Sequence, residues 1–141
     1  MIKHLNIFTD GGARGNPGPA GIGVYIEDEN GNEIAGIGKT IGVATNNAAE
    51  YKAVIEALSW VVNNKEDLSE DAVINFYLDS LLVCSQIKGL YKVKNPDLRG
   101  YLFKIRELEP EIKNSIFYSH IPREENKKAD ALVNKALDMA S

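Results

Sequence analysis

Three β-rich runs fill the first 42 residues with no helical period between them, and only afterwards does the apolar spacing lengthen from about two to about 3.6. Residues 2–9 are apolar at Ile2, Leu5, Ile7 and Phe8, and the runs "AGIGVYIE" (20–27) and "EIAGIGKTIG" (33–42) flank Asn30-Gly31, a strong hairpin signal. Strands with no crossover between them pair antiparallel, so this part predicts a three-stranded meander. Residues 47–62 then place Ala48, Tyr51, Val54, Ile55, Leu58, Val61 and Val62 at helical spacing. "AVINFYLD" (72–79) predicts a fourth strand, and "SLLVCSQIKG" (80–89) a short helix stopped by Gly89. After Asn95-Pro96 come a helix over 98–108, a strand over 115–121 and a helix over 126–139. The order β-β-β-α-β-α-α-β-α joins an antiparallel region to a parallel α/β region by crossovers. No linker, repeat or low-complexity segment interrupts it, so residues 1–141 read as one domain.

A net charge of -4 argues against holding nucleic acid by bulk electrostatics alone. The charge is uneven, however. Residues 88–106 carry Lys88, Lys92, Lys94, Arg99, Lys104 and Arg106 against the single acid Asp97, with Tyr91, Tyr101 and Phe103 interleaved, which suits either a solvated helix face or a phosphate-tracking surface. "MIKHLNIFTD" lacks a sustained apolar stretch and no segment reaches the length of a membrane span, so a cytoplasmic protein with no membrane partner is expected. A monomer is expected as well. Cys84, the single cysteine, falls near Leu81 and Ile87 on one helical face and predicts a buried structural thiol.

Four acids stand at the ends of predicted elements: Asp10, Glu50, Asp79 and Asp130. Each has a purely structural role open to it. Asp10 suits a turn before glycines, Glu50 a capping box with Asn47, Asp79 a cap on the helix from Ser80, and Asp130 an exposed position beside Lys127. Together they say more. If the first and fourth strands are neighbours, Asp10 and Asp79 emerge side by side, about 5 Å apart, and Glu50 and Asp130 approach from two helices. Four such charges repel unless cations sit among them, and oxygen-only ligands with no Cys/His spacing favour Mg²⁺ or Mn²⁺ over zinc. Paired hard cations roughly 4 Å apart are an apparatus for phosphodiester cleavage.

The motifs "TDGGARGNPGPAG" around Asp10, "TNNAAEYKAVIEAL" around Glu50, "FYLDSLLV" around Asp79, "YKVKNPDL" before the third helix and "PREENKKADALVNKA" around Asp130 together resemble type 1 ribonucleases H over nearly the whole chain. The resemblance implies an α/β ribonuclease H-like fold, a five-stranded mixed sheet in order 3-2-1-4-5 with its first three strands antiparallel and helices on its faces. It implies an endoribonuclease that hydrolyses the RNA strand of RNA/DNA hybrids by two-metal-ion catalysis, leaving 5'-phosphate and 3'-hydroxyl ends. Two Mg²⁺ ions, with Mn²⁺ as substitute, would be held by Asp10, Glu50, Asp79 and Asp130. Double-stranded RNA is a further candidate duplex. Two rival functions of the same fold are a non-cleaving binder of hybrid or double-stranded RNA and a nuclease directed at DNA.

An enzyme that tells RNA from DNA has to touch the 2'-hydroxyl in the shallow minor groove, and bare backbone at Gly11, Gly12 and Ala13 permits that approach. Arg14 belongs to the same group of expected substrate contacts. Asn16, Asn46 and Asn47 match family positions that hydrogen-bond the groove and riboses, and Thr45 and Asn95 match positions that hold a phosphate of the DNA strand. Two departures from the family stand out. Many members insert a basic helix and loop after the second helix, for which "KGLYKVKNPDL" leaves no room, so affinity is expected to rest on the 88–106 patch. A histidine before the last acid assists many members. His120 is one candidate for that position, but the Pro-Arg-Glu-x-Asn pattern favours Arg123, which binds phosphate and does not carry protons near neutrality.

Overall fold

A computed structural model describes all 141 residues. The sheet is built from β1 (Ile2–Ala13), β2 (Gly18–Glu27), β3 (Glu33–Ala44), β4 (Leu68–Leu78) and β5 (Ser115–His120), in the order β3-β2-β1-β4-β5. β1, β2 and β3 pair antiparallel, whereas β1 with β4 and β4 with β5 pair parallel. The helices are α1 (Asn46–Asn63), α2 (Leu81–Ile87), α3 (Pro96–Leu108) and α4 (Lys127–Ala140). No helix is long and apolar enough to cross a membrane.

The main core lies on the sheet face covered by α1, α2 and α3. Leu5, Ile7, Ile26, Ile74, Phe76 and Leu78 of the sheet meet Tyr51, Val54, Leu58 and Val61 of α1 and Ile105 of α3, all fully buried. Each such aliphatic side chain contributes about 1.5–3 kcal/mol by leaving water. Cys84 is buried in this core as expected, and burial pushes its thiol pKa up. On the other face α4 buries only Ala129, Val133 and Leu137, an i, i+4, i+8 stripe laid on β2 and β3.

One expectation is corrected. The strand expected to stop at Thr9 continues through the glycines to Ala13, pairing Asp10 with Gly23 and Ala13 with Ala20. A β-ladder needs only backbone N–H and C=O groups, which glycine supplies as well as any residue. What ends at Thr9 is the parallel pairing, because Thr9↔Leu78 is the last step between β1 and β4. Asp10 therefore marks a fork between strands, and Gly11 to Ala13 form an extended edge where a turn was expected. The reversal comes later, where Gly15 adopts φ 94°.

Candidate active site

At the fork, β1 and β4 part and Asp10 and Asp79 emerge in adjacent register, as the strand order required. Asp10 is buried, and its Oδ1 accepts a bond from its own neighbour Gly11 N at 3.0 Å. Glu50 reaches it from the start of α1. That helix is capped by Thr45, whose Oγ1 accepts from Ala48 N at 3.1 Å, so the capping box proposed for Asn47 and Glu50 does not form. Glu50 Oε1 instead accepts from Gly11 N at 3.1 Å. The approach depends on glycine, since a Cβ at Gly11 would lie 2.3 Å from the Ala49 carbonyl carbon. Asp79 does not cap α2 either. Ser80 does, which leaves the Asp79 carboxylate to accept from Asn126 Nδ2 at 2.8 Å.

Donor oxygens of Asp10, Glu50 and Asp79 lie within 4.8 Å of one another. Asp130, in the first turn of α4, is half-buried on the rim of the same cleft. Burial, then the Asp79 and Asp130 charges, raise the Asp10 carboxyl pKa to about 7 against the bond to Glu50 that lowers it, while burial and then the Asp10 charge push Glu50 well above the usual carboxylate range. Glu50 Oε2 is buried with no partner at all. An acceptor left unsatisfied among like charges is costly in a protein interior. A hard divalent cation removes both costs, and a donor set made only of carboxylate oxygens fits Mg²⁺ or Mn²⁺.

The expected substrate residues divide between two recesses. Gly11, Gly12, Ala13, Arg14, Asn46 and Asn47 line the carboxylate cleft. Gly12 has nothing within 4 Å of where a Cβ would stand, so its bare backbone faces open space. Asn46 and Asn16 brace this edge, Asn46 Oδ1 accepting from Ala13 N at 2.8 Å and Asn16 Oδ1 from Asn46 N at 3.0 Å. Arg14 is paired with Asp138 at 2.6 Å, an exposed ion pair that contributes little to stability. Asn16, Thr45, Asn47 and Asn95 line the second recess. There the N-termini of α1 and α3 converge, with Asn95 Oδ1 accepting from Asp97 N and Leu98 N, and two such helix ends favour an anion.

Of the two candidates before the last acid, Arg123 lines the cleft, in a single 3₁₀ turn ahead of α4. His120 ends β5 opposite Leu78 and does not line it. Two residues escaped the sequence reading. Asn126, 1% exposed, donates from Nδ2 to both Thr9 O and Asp79 Oδ2 at 2.8 Å, tying the start of α4 to the fork. Its place before a helix suggests a cap, a bond it does not make. Lys52 lines the second recess, lying 5.5 Å from the Tyr101 ring centroid, with only helical spacing from Thr45 to signal it.

A 3-2-1-4-5 sheet with a carboxylate cluster at the fork of its first and fourth strands defines the ribonuclease H-like class of folds. The reverse transcriptase-like family model matches residues 8–136. The chain is 41% identical over 136 residues to ribonuclease HI of Halobacterium salinarum and 40% identical over 136 residues to a bifunctional protein of Mycobacterium tuberculosis, 96% of this chain in each case. It spans 65% of the length of the first and 36% of the second. Among solved structures it is similar to LC11-RNase H1 in complex with RNA/DNA hybrid, with 46% identity, a TM-score of 0.91, and coverage of 96% of this chain and 98% of that one. The chain belongs to the type 1 ribonuclease H family.

Proposed function

We propose that this chain is a divalent-metal-dependent endoribonuclease that hydrolyses the RNA strand of RNA/DNA hybrids, leaving 5'-phosphate and 3'-hydroxyl ends. The observation that carries this reading is the buried Asp10, Glu50 and Asp79 cluster with an orphaned Glu50 oxygen. A module that only binds duplexes has no use for that repulsion. The similarity to LC11-RNase H1, whose structure holds an RNA/DNA hybrid, supports the choice of substrate.

Asp10, Glu50, Asp79 and Asp130 would hold Mg²⁺, two ions per site, with Mn²⁺ as substitute. When bound, such ions supply Lewis-acid stabilisation of the scissile phosphate and an activated water. Asn126 keeps the Asp79 carboxylate turned toward the fork by its bond to Oδ2. The open backbone at Gly12 approaches the 2'-hydroxyl in the minor groove, and the amide NH₂ groups of Asn16 and Asn46, whose oxygens are already used, donate to riboses and base edges. The recess of Thr45 and Asn95 holds a phosphate of the DNA strand and so sets the register of the cut. Arg123 binds a phosphate at the mouth of the cleft through its planar, multi-donor guanidinium.

The test is cleavage of end-labelled RNA/DNA, RNA/RNA and DNA/DNA duplexes with Mg²⁺, with Mn²⁺ and with chelator. Metal-dependent cutting of the hybrid's RNA strand, with DNA/DNA intact, is expected. Hybrid bound but uncut under every metal condition would overturn the catalytic assignment, and cutting of DNA/DNA would overturn the role given to the 2'-hydroxyl.

A further inference from the structure

Beside the anion recess lies a second, differently built surface. α3 turns Leu98 and Tyr101 toward the anion recess, while Arg99, Leu102 and Phe103, on the adjacent side of the helix, line a shallow groove with Tyr91, Lys92 and Val93 of the connection from α2. Phe103 is 67% exposed and Tyr91 51%, so two large rings stand in solvent within a basic stretch of an otherwise acidic chain. Lys92 and Arg99 have no ion-pair partner, whereas Arg106 is held by Glu109 and by the Ile87 carbonyl and is structural. The groove is braced from below. Gln86, which accepts the Tyr51 hydroxyl at 2.7 Å, donates to the Lys92 carbonyl at 3.4 Å.

The groove is continuous with the anion recess. Asn95 caps α3 at that recess, Arg99 N bonds to Asn95 O one turn further along the helix, and Lys92 stands three residues before Asn95, no more than roughly 11 Å away along the chain. Cations alone suit any backbone. Among nucleic acids, exposed aromatic faces serve bases free to unstack onto them, which a duplex does not offer and a single strand does.

Building on the hybrid-cutting function proposed above, we propose that this groove binds unpaired nucleotides of the DNA strand where that strand runs out of the hybrid past the Thr45 and Asn95 recess. It takes the place of the basic insertion that the connection of residues 88–95 is too short to contain, and it gives the enzyme a preference for hybrid ends that continue as single-stranded DNA.

The experiment measures binding by fluorescence anisotropy in chelator, where nothing is cut. It compares a blunt RNA/DNA hybrid with the same hybrid carrying about six extra DNA nucleotides at either end, a length within one stacking site. The same pair is measured with the Tyr91→Ala/Phe103→Ala protein, checked for an unchanged thermal midpoint, and blunt-hybrid cleavage in Mg²⁺ is run alongside. The wild type should bind one of the two extended hybrids at least about fivefold more tightly than the blunt one, as stacking of a base or two provides. In the double variant the ratio of extended to blunt affinity should fall to near one. Equal affinities in the wild type, or a gain that survives in the variant, would overturn the inference and leave the groove to some other class of partner. A blunt hybrid cut normally while the extension adds nothing sinks this inference alone; a hybrid neither bound nor cut sinks the proposed function with it.

Discussion

α1 and α4 each bring a carboxylate to the fork, and they are attached to the sheet in opposite ways. α1 is anchored by volume, with Tyr51, Val54, Leu58 and Val61 fully buried and only its first turn pressed onto bare backbone at Gly11. α4 is anchored by closeness. A Cβ at Gly23 would lie 2.2 Å from the Ala129 carbonyl oxygen and one at Gly38 2.7 Å from that of Leu132, so the helix backbone lies against strands that have no side chains there. Glu50 is accordingly buried with an orphaned oxygen, while Asp130 is half-buried and bonded through Oδ2 to Asn134 Nδ2 at 3.3 Å. The contrast teaches that a deeply packed helix delivers a carboxylate at high electrostatic cost and fixed position, whereas a helix on glycines delivers one cheaply and sensitively.

The largest effect should separate the two helices directly. Glu50→Gln is expected to lower hybrid cleavage by on the order of 10³-fold, several kcal/mol of transition-state stabilisation at about 1.4 kcal/mol per decade, and Asp130→Asn to lower it clearly less. Steady-state rates at saturating Mg²⁺ check this, and equal losses would break the contrast. Next comes Gly23→Ala. The added methyl lifts α4, so stability should drop by about 1–3 kcal/mol and activity by roughly 10²-fold as Asp130 shifts. Chemical denaturation and kinetics measured together would show whether closeness matters as much as argued.

Asn126→Ala removes the donor to Asp79 and to Thr9 O, and a tenfold or greater rise in the Mg²⁺ concentration needed for half-maximal cleavage is expected. A metal titration that overlays the wild type would make Asn126 a packing residue only. A smaller effect is thermal. Asp10 keeps its proton in the folded metal-free protein up to about pH 7, whereas its ordinary value is 3.8, so the stability it contributes is whole below about pH 4 and is lost as pH rises to about 7. Asp10→Asn should flatten that decline in the metal-free midpoint, and added Mg²⁺ should raise the wild-type midpoint by a few degrees at pH 8 and far less at pH 5. Differential scanning calorimetry with and without chelator reads both. The smallest effect belongs to Gly12→Ala, which meets no atom within 4 Å and should change stability by less than about 0.5 kcal/mol while raising KM for the hybrid. An unchanged KM would remove this edge from the substrate path.

Much of this was legible in the chain. The change of apolar period after the third strand, the Asn30-Gly31 hairpin and the helix that follows Asn95 follow from local rules, and the observed elements sit within a few residues of those expected, α3 starting at Pro96 and not at Leu98. The four acids were recognisable because each stands where a strand or helix begins or ends. What stayed hidden involves partners far apart in sequence. Asn126 and Thr9 are separated by 117 positions, and nothing near either one announces their bond. The glycines after Asp10 were legible as bare backbone but not as strand, because whether such a run is a turn or a ladder depends on whether another strand lies beside it.

By itself, then, the sequence determined the order of elements, which rests on short-range periodicity, and carried the motifs whose resemblance to a known family singled out the four carboxylates. Tertiary structure decided which of those residues are spent and which are free. It makes Gly11 a contact point for α1 and Gly12 an open surface, puts Arg123 in the cleft and His120 outside it, and leaves Glu50 Oε2 without a partner. The reason is physical: burial, desolvation and close backbone approach arise only when separate elements pack, and no local pattern encodes the distance between them.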